Sequence, residues 1–187
     1  MKPIIVMQTD FGIGGGSAMH GTCLKVDPEF EIYEANHSIE KFNVQAAGRN
    51  LRNLIPFWPE GTVFVSVVDP GVGTSRRACV ALTANGRYVV TPDNGCLEEI
   101  REKHGIASVR EIDQSVNRYK GNAWSLKSDI FHGSACFIHD DAVDAVASGR
   151  PDGAEDRQAD DEEKTQAVIP VRHEKHSFIS CLRVVLA

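Results

Sequence analysis

The sequence predicts a mixed α/β fold, with helices flanking a central sheet that is largely parallel. Short apolar runs typical of buried strands alternate with segments of helical periodicity, and this alternation favours parallel strands. Asn85-Gly86 separates two further apolar runs and is the strongest hairpin signal in the chain. A hairpin pairs its strands antiparallel, so we expect a mixed rather than a purely parallel sheet.

Six segments are predicted as strands because each is a short apolar or β-branched run bounded by turn residues. In chain order they are Pro3–Met7, Glu31–Ala35, Thr62–Val68, Ala78–Thr83, Tyr88–Thr91 and Val109–Ile112. Four helices are predicted from apolar periodicity and from start and stop signals. They begin at Ser17, after the N-cap Asn43, at Cys96 (ending before Gly105) and at Ser134 (ending before Gly149).

Composition narrows the class of protein. The 187 residues carry a net charge of −6, which disfavours a nucleic-acid binder, and no basic amphipathic segment indicates a membrane surface. The N-terminal apolar run is too short for a signal peptide, and no run approaches the length of a membrane-spanning helix. Five scattered cysteines without a CxxC pair are typical of reduced thiols. We therefore expect a cytoplasmic protein.

Three regions are expected along the chain. Residues 1–149 form the α/β domain, and residues 150–166 are an acidic linker or a disordered segment because they contain almost nothing apolar. Residues 167–187 regain apolar side chains but are too few to form a core alone.

Three predicted strands end in an acid followed by turn residues: Asp10, Asp69 and Asp93. If these strands are parallel, the acids gather at one edge of the sheet, where open α/β sheets bind their ligands. The alternative for each residue is the ordinary preference of aspartate for turns and caps. The loop from Gly12 to Ser17 is not GxGxxG in register, so a phosphate cradle is not favoured.

His132, which precedes a predicted helix, can join Asp69 and Arg76 in a polar cluster that orients a small nucleophile. The other six histidines have no spacing that indicates a metal site. Arg77 is left without a role beyond pairing with another carboxylate.

The motifs TDFG, WPEGTVFVSVVDPGVGTSRR, TPDNG and IFHG, in this order, resemble the S-adenosyl-L-methionine (SAM) hydrolases over roughly residues 3–149. These enzymes are also called SAM hydroxide adenosyltransferases and are related to SAM-dependent chlorinases and fluorinases. The resemblance implies a trimer with active sites between subunits, with SAM as the substrate and no cofactor. It implies cleavage of SAM by water into adenosine and methionine. No metal is needed, because the sulfonium of SAM is already a good leaving group.

Carried over by position, the resemblance implies that Asp69, Arg76 and His132 activate the water. Asp10 would hold the ribose hydroxyls and Ser17 the methionine part, with three further substrate contacts implied at Phe11, Asp93 and Asn94. The related halogenases carry tyrosine where Asp69 stands and differ at His132-Gly133, so the resemblance favours a hydrolase.

Two departures from the family are visible in the sequence. Ser134-Ala135 stands where the family has Arg-Asp, and no counterpart of the family's C-terminal adenine-binding β-barrel is recognisable after Gly149. Two other hypotheses therefore remain open. One is a catalytically impaired homologue that binds an adenosine-like ligand or only oligomerises; the other is a metal-dependent hydrolase that uses the three strand-end acids and His132.

Overall fold

The computed structural model describes residues 4–112 of the chain. Several predictions lie outside these residues: His132, the helix at Ser134, the linker 150–166 and the tail 167–187. The expected absence of a C-terminal barrel concerns that same region. These remain predictions from the sequence.

Within the described residues a six-stranded sheet has the order β2-β1-β3-β5-β4-β6. Its strands are β1 (Ile4–Thr9), β2 (Glu31–Asn36), β3 (Val63–Val67), β4 (Ala78–Thr83), β5 (Tyr88–Pro92) and β6 (Ile106–Glu111). β1 pairs parallel with β2 and with β3, and β3 pairs parallel with β5. β4 pairs antiparallel with β5 and β6, so the predicted mixed sheet and its hairpin are confirmed.

Helices cover both faces of this sheet. They are α1 (Ser17–Val26), α2 (Val44–Leu54) and α3 (Glu98–His104), and a 3-10 turn (Ile55–Phe57) follows α2. α1 packs on the face that carries Ile5 and Val65, whereas α2 and α3 pack on the face that carries Val6 and Phe64. Burial on both faces explains why β1 and β3 are continuous apolar runs rather than alternating ones. No helix among residues 4–112 is long and apolar enough to cross a membrane.

Most predicted boundaries agree with the structure to within one residue. The predicted end of β1 at Met7 was wrong, because pairing with β3 continues as far as Thr9. The Asn43 side chain caps α2 by accepting a hydrogen bond from Ala46 N at 2.9 Å. The predicted start of α3 was wrong by two residues, because the chain makes a turn at Gly95 before the helix begins at Glu98. β6 begins earlier than predicted, because Gly105, at φ 68°, ends α3 and leads directly into pairing with β4.

Candidate active site

The carboxyl ends of β1, β3 and β5 lie side by side, since these three strands are neighbours and parallel. Asp10, Asp69 and Asp93 follow these strands by one or two residues. The structure therefore brings all three acids to one edge of the sheet, as expected for parallel strands. This edge is the position at which open α/β sheets bind ligands.

Asp69 and Arg76 form a buried ion pair at the centre of this edge. Arg76 Nε donates to Asp69 Oδ2 at 2.6 Å, and Arg76 Nη2 contacts the same oxygen. The Asp69 side chain is only 5% exposed and that of Arg76 11%. Water is largely excluded from the pair, so its charges act on each other and on neighbouring groups more strongly than in solvent.

The intervening loop is a compact turn that returns the chain from Asp69 to Arg76. Gly71 N donates to Asp69 Oδ1 at 3.1 Å, and Thr74 Oγ1 donates to Gly71 O at 2.7 Å. Thr74 Oγ1 also accepts from Arg76 N at 3.3 Å. These hydrogen bonds of Gly71 and Thr74 fold the loop back on its own carboxylate.

Asp10 is tied to the loop that precedes α2. Its Oδ2 accepts a hydrogen bond from Phe42 N at 2.8 Å. Phe42 has φ 63°, a left-handed conformation that is rare for a residue with a side chain. Phe11 and Phe42 are both about half exposed.

Ser17 is the first residue of α1, and its N–H donates to Gly14 O at 3.2 Å. The glycines before it have a packing explanation. A Cβ on Gly16 would lie 2.4 Å from the His37 ring, and one on Gly15 would lie 2.2 Å from Phe11 Cβ. Close approach therefore accounts for Gly15 and Gly16, whereas Gly12 and Gly14 have φ values of 86° and 78°, which favour glycine.

A histidine–glutamate network beside this loop was not predicted from the sequence. His37 Nδ1 and Thr9 Oγ1 are 2.8 Å apart, and Glu34 lies 2.5 Å from His37 Nε2 and 2.7 Å from His20 Nδ1. Although partial burial acts to raise it, the hydrogen bonds from both histidines lower the pKa of Glu34 from its ordinary value. No local pattern indicates this network, because its members come from α1, β2 and the loop after it.

Arg77, for which the sequence indicated only an unnamed carboxylate, pairs with Asp93. Arg77 Nε and Nη2 donate to Asp93 Oδ2 at 3.1 and 2.7 Å. The neighbouring Asn94 also bonds protein groups: its Nδ2 donates to Val68 O at 2.9 Å, and its Oδ1 accepts from Cys96 N at 3.3 Å.

Three cysteines lie within the described residues, and all are buried free thiols. Burial raises the pKa of Cys23 and of Cys79 to about 12, and it also raises the pKa of Cys96. They therefore remain protonated and poorly nucleophilic at neutral pH. Across residues 4–112, no three His, Cys, Asp or Glu side chains are grouped as metal ligands.

Comparison with known proteins identifies the family. Residues 5–150 match the profile of the SAM hydroxide adenosyltransferase N-terminal domain. The chain belongs to this family. It is 38% identical over 136 residues to the (R)-S-adenosyl-L-methionine hydrolase of Methanocaldococcus jannaschii, covering 70% of this chain and 48% of that protein. To the protein of the same name from Salinispora tropica it is 34% identical over 140 residues, covering 72% and 50%.

Two further relatives show how far the family extends. The fluorinase of an Actinoplanes species is 30% identical over 139 residues, covering 61% of this chain and 46% of that enzyme. The crystal structure of an uncharacterised conserved protein from Thermotoga maritima superimposes with a TM-score of 0.65 at 38% identity, covering 71% and 50%. This member of the SAM hydroxide adenosyltransferase family thus spans about half the length of the relatives that it matches.

Proposed function

We propose that this protein hydrolyses SAM to adenosine and L-methionine. The observation that carries the proposal is the buried Asp69–Arg76 pair at the carboxyl edge of the parallel strands. The names of its relatives support the same reaction. Identity is 34–39% to three proteins named SAM hydrolases and 25–30% to three named fluorinases.

The proposed reaction is a displacement at C5′ of SAM. The oxygen of a bound water attacks C5′, the C5′–S bond breaks, and its electron pair returns to sulfur to give the neutral thioether of methionine. The sulfonium is already a good leaving group, so the protein has only to position and partly deprotonate the water. Asp69 accepts the proton, with His132 as the second predicted acceptor.

Arg76 is proposed to stabilise the developing hydroxide. Its guanidinium already contacts Asp69 Oδ2, so a water held beside the pair would meet an acceptor and a fixed positive charge together. Attack of an anionic oxygen on a cationic sulfonium neutralises charge, which a site with little water favours.

The substrate contacts are proposed by position from the resemblance. Asp10 would bind the ribose, Ser17 the methionine part, and Phe11 would lie beside them. Asp93 and Asn94 were predicted as further contacts, although their hydrogen bonds described above are to protein groups. A homotrimer, a cytoplasmic location and the absence of a cofactor also belong to the proposal, because they rest on the resemblance and the sequence.

The proposal is tested by incubating the purified full chain with SAM, with and without chloride. Chromatography quantifies adenosine, methionine and 5′-chloro-5′-deoxyadenosine. Asp69→Asn removes the proposed base while keeping the shape of the side chain. Glu98→Gln is the matched control, because Glu98 forms an exposed ion pair with Arg101 on α3.

The expected result is adenosine and methionine in equal amounts, lost in Asp69→Asn and retained in Glu98→Gln. A chlorinated product would contradict the hydrolase assignment. A folded protein without turnover would contradict the proposal. If SAM raises its melting temperature, an adenosine-binding homologue is favoured. If SAM does not, a purely oligomeric homologue is favoured.

A further inference from the structure

The loop from Asp69 to Arg76 has to hold two catalytic side chains, and strand pairing stops just short of it. β1 pairs with β3 as far as Val67, and β5 pairs with β4 from Ala78 onward. Parallel pairing between β3 and β5 extends only from Val63↔Tyr88 to Val65↔Val90. Beyond Val65, the end of β3 is therefore held by backbone pairing with β1 on one side only. Contacts other than strand pairing therefore fix the residues between Val67 and Ala78.

The turn after β5 supplies the contact at the beginning of the loop. Asn94 Nδ2 donates to Val68 O at 2.9 Å, directly before Asp69. Asn94 Oδ1 accepts from Cys96 N at 3.3 Å, which orients the amide group. The Asn94 side chain thus replaces the backbone pairing that β3 and β5 lack at this point.

The preceding residue of the same turn supplies the contact at the other end. Asp93 N donates to Arg77 O at 2.9 Å, and the Arg77 guanidinium donates back to Asp93 Oδ2 at 2.7 Å. Arg77 O also accepts from Arg76 Nη1 at 3.4 Å. The Asp93 backbone therefore holds the carbonyl that contacts the catalytic guanidinium, and the Asp93 carboxylate holds the Arg77 side chain.

We propose that Asp93 and Asn94 are positioning residues that hold the two ends of the loop, so that Asp69 and Arg76 keep their hydrogen-bond geometry. The inference rests on the proposed function and assigns these two residues a role other than substrate contact. The Arg77 and Asp93 side chains are 63% and 43% exposed, and exposed pairs contribute little to global stability. Their contribution is to local geometry.

The first test does not depend on activity. NMR measures hydrogen exchange of Arg76 Nε–H, which Asp69 protects through the 2.6 Å hydrogen bond. Exchange is expected to be about tenfold faster in Asn94→Ala, as follows from losing about 1.4 kcal/mol of local protection. It is expected to be about threefold faster in Asp93→Asn, which keeps the backbone bond to Arg77 O and weakens only the exposed ion pair. Glu98→Gln is the matched control and is expected to leave exchange unchanged. Unchanged exchange in both loop variants would overturn the inference.

The second test uses steady-state kinetics with SAM. A positioning role predicts that Asn94→Ala lowers kcat about tenfold and Asp93→Asn about threefold, and that both leave KM within about twofold. A higher KM with unchanged kcat would identify substrate contacts and overturn the inference. If the unmodified protein has no turnover but the exchange rates change as expected, positioning is supported and it is the proposed function that fails.

Discussion

Replacing Arg76 by methionine tests whether the buried ion pair behaves as one unit. The Asp69 carboxylate would keep the hydrogen bond from Gly71 N but lose its cation, in a position where the residue is 6% exposed. Breaking a buried pair by removing one partner generally costs about 3–5 kcal/mol, because an uncompensated charge stays buried. Because the Gly71 hydrogen bond still stabilises the carboxylate, we expect Arg76→Met to lower the free energy of unfolding by about 3 kcal/mol, the lower end of that range.

Urea unfolding followed by circular dichroism measures this cost. The double variant Asp69→Asn/Arg76→Met removes both charges and is expected to be about 1–3 kcal/mol more stable than Arg76→Met alone. Arg101→Met is the matched control, since it breaks the exposed pair with Glu98 and is expected to cost less than about 1 kcal/mol. The reasoning is refuted if Arg76→Met costs no more than Arg101→Met.

Three further predictions concern α1 and its neighbours. Gly16→Ala places a Cβ 2.4 Å from the His37 ring and is expected to destabilise the fold by about 1–3 kcal/mol. Gly21→Ala is the matched control: its Cβ meets nothing within 4 Å, and it should stabilise α1 by about 0.5–1 kcal/mol. Thermal unfolding compares the two variants. Cys23, with its pKa raised to about 12, should resist alkylation at pH 8 until the protein unfolds; peptide mass spectrometry measures this, and rapid alkylation of the folded protein would contradict burial. Because the thiol ionises more readily in the unfolded chain, the free energy of unfolding should decline above about pH 9, as unfolding titrations would show. Because the pKa of Glu34 is lowered in the folded protein, this residue stabilises the fold above its ordinary pKa of 4.5, and that stabilisation is lost as the pH falls. Glu34→Gln should therefore make the free energy of unfolding depend less on pH below that value. An unchanged pH dependence would count against the histidine network.

The elements of the fold were largely predictable because each depends on local pattern. The apolar runs of β1 and β3, the Asn43 cap and the Asn85-Gly86 turn all act over a few residues, and each is present in the structure. Boundaries were less predictable where pairing decides them. β6, for example, extends toward Gly105 because β4 supplies an antiparallel partner as far as Ile106.

The candidate site was predictable only in part. The strand-end acids were visible because parallel topology sends them to a common edge. Partners that depend on side-chain reach between separate loops were not visible, as with Arg77 to Asp93 and Asn94 to the carbonyl of Val68. Hydrogen bonds between residues 16 or 26 positions apart leave no periodic trace in the sequence.

The central claim is that a water molecule attacks C5′ of SAM, and hydrolysis in ¹⁸O-labelled water tests this most directly. Mass spectrometry locates the label in the products. The account predicts adenosine with one ¹⁸O at O5′, unlabelled methionine, and loss of this product in Asp69→Asn. Adenosine without the label, or a 5′-halogenated nucleoside in its place, would contradict the account.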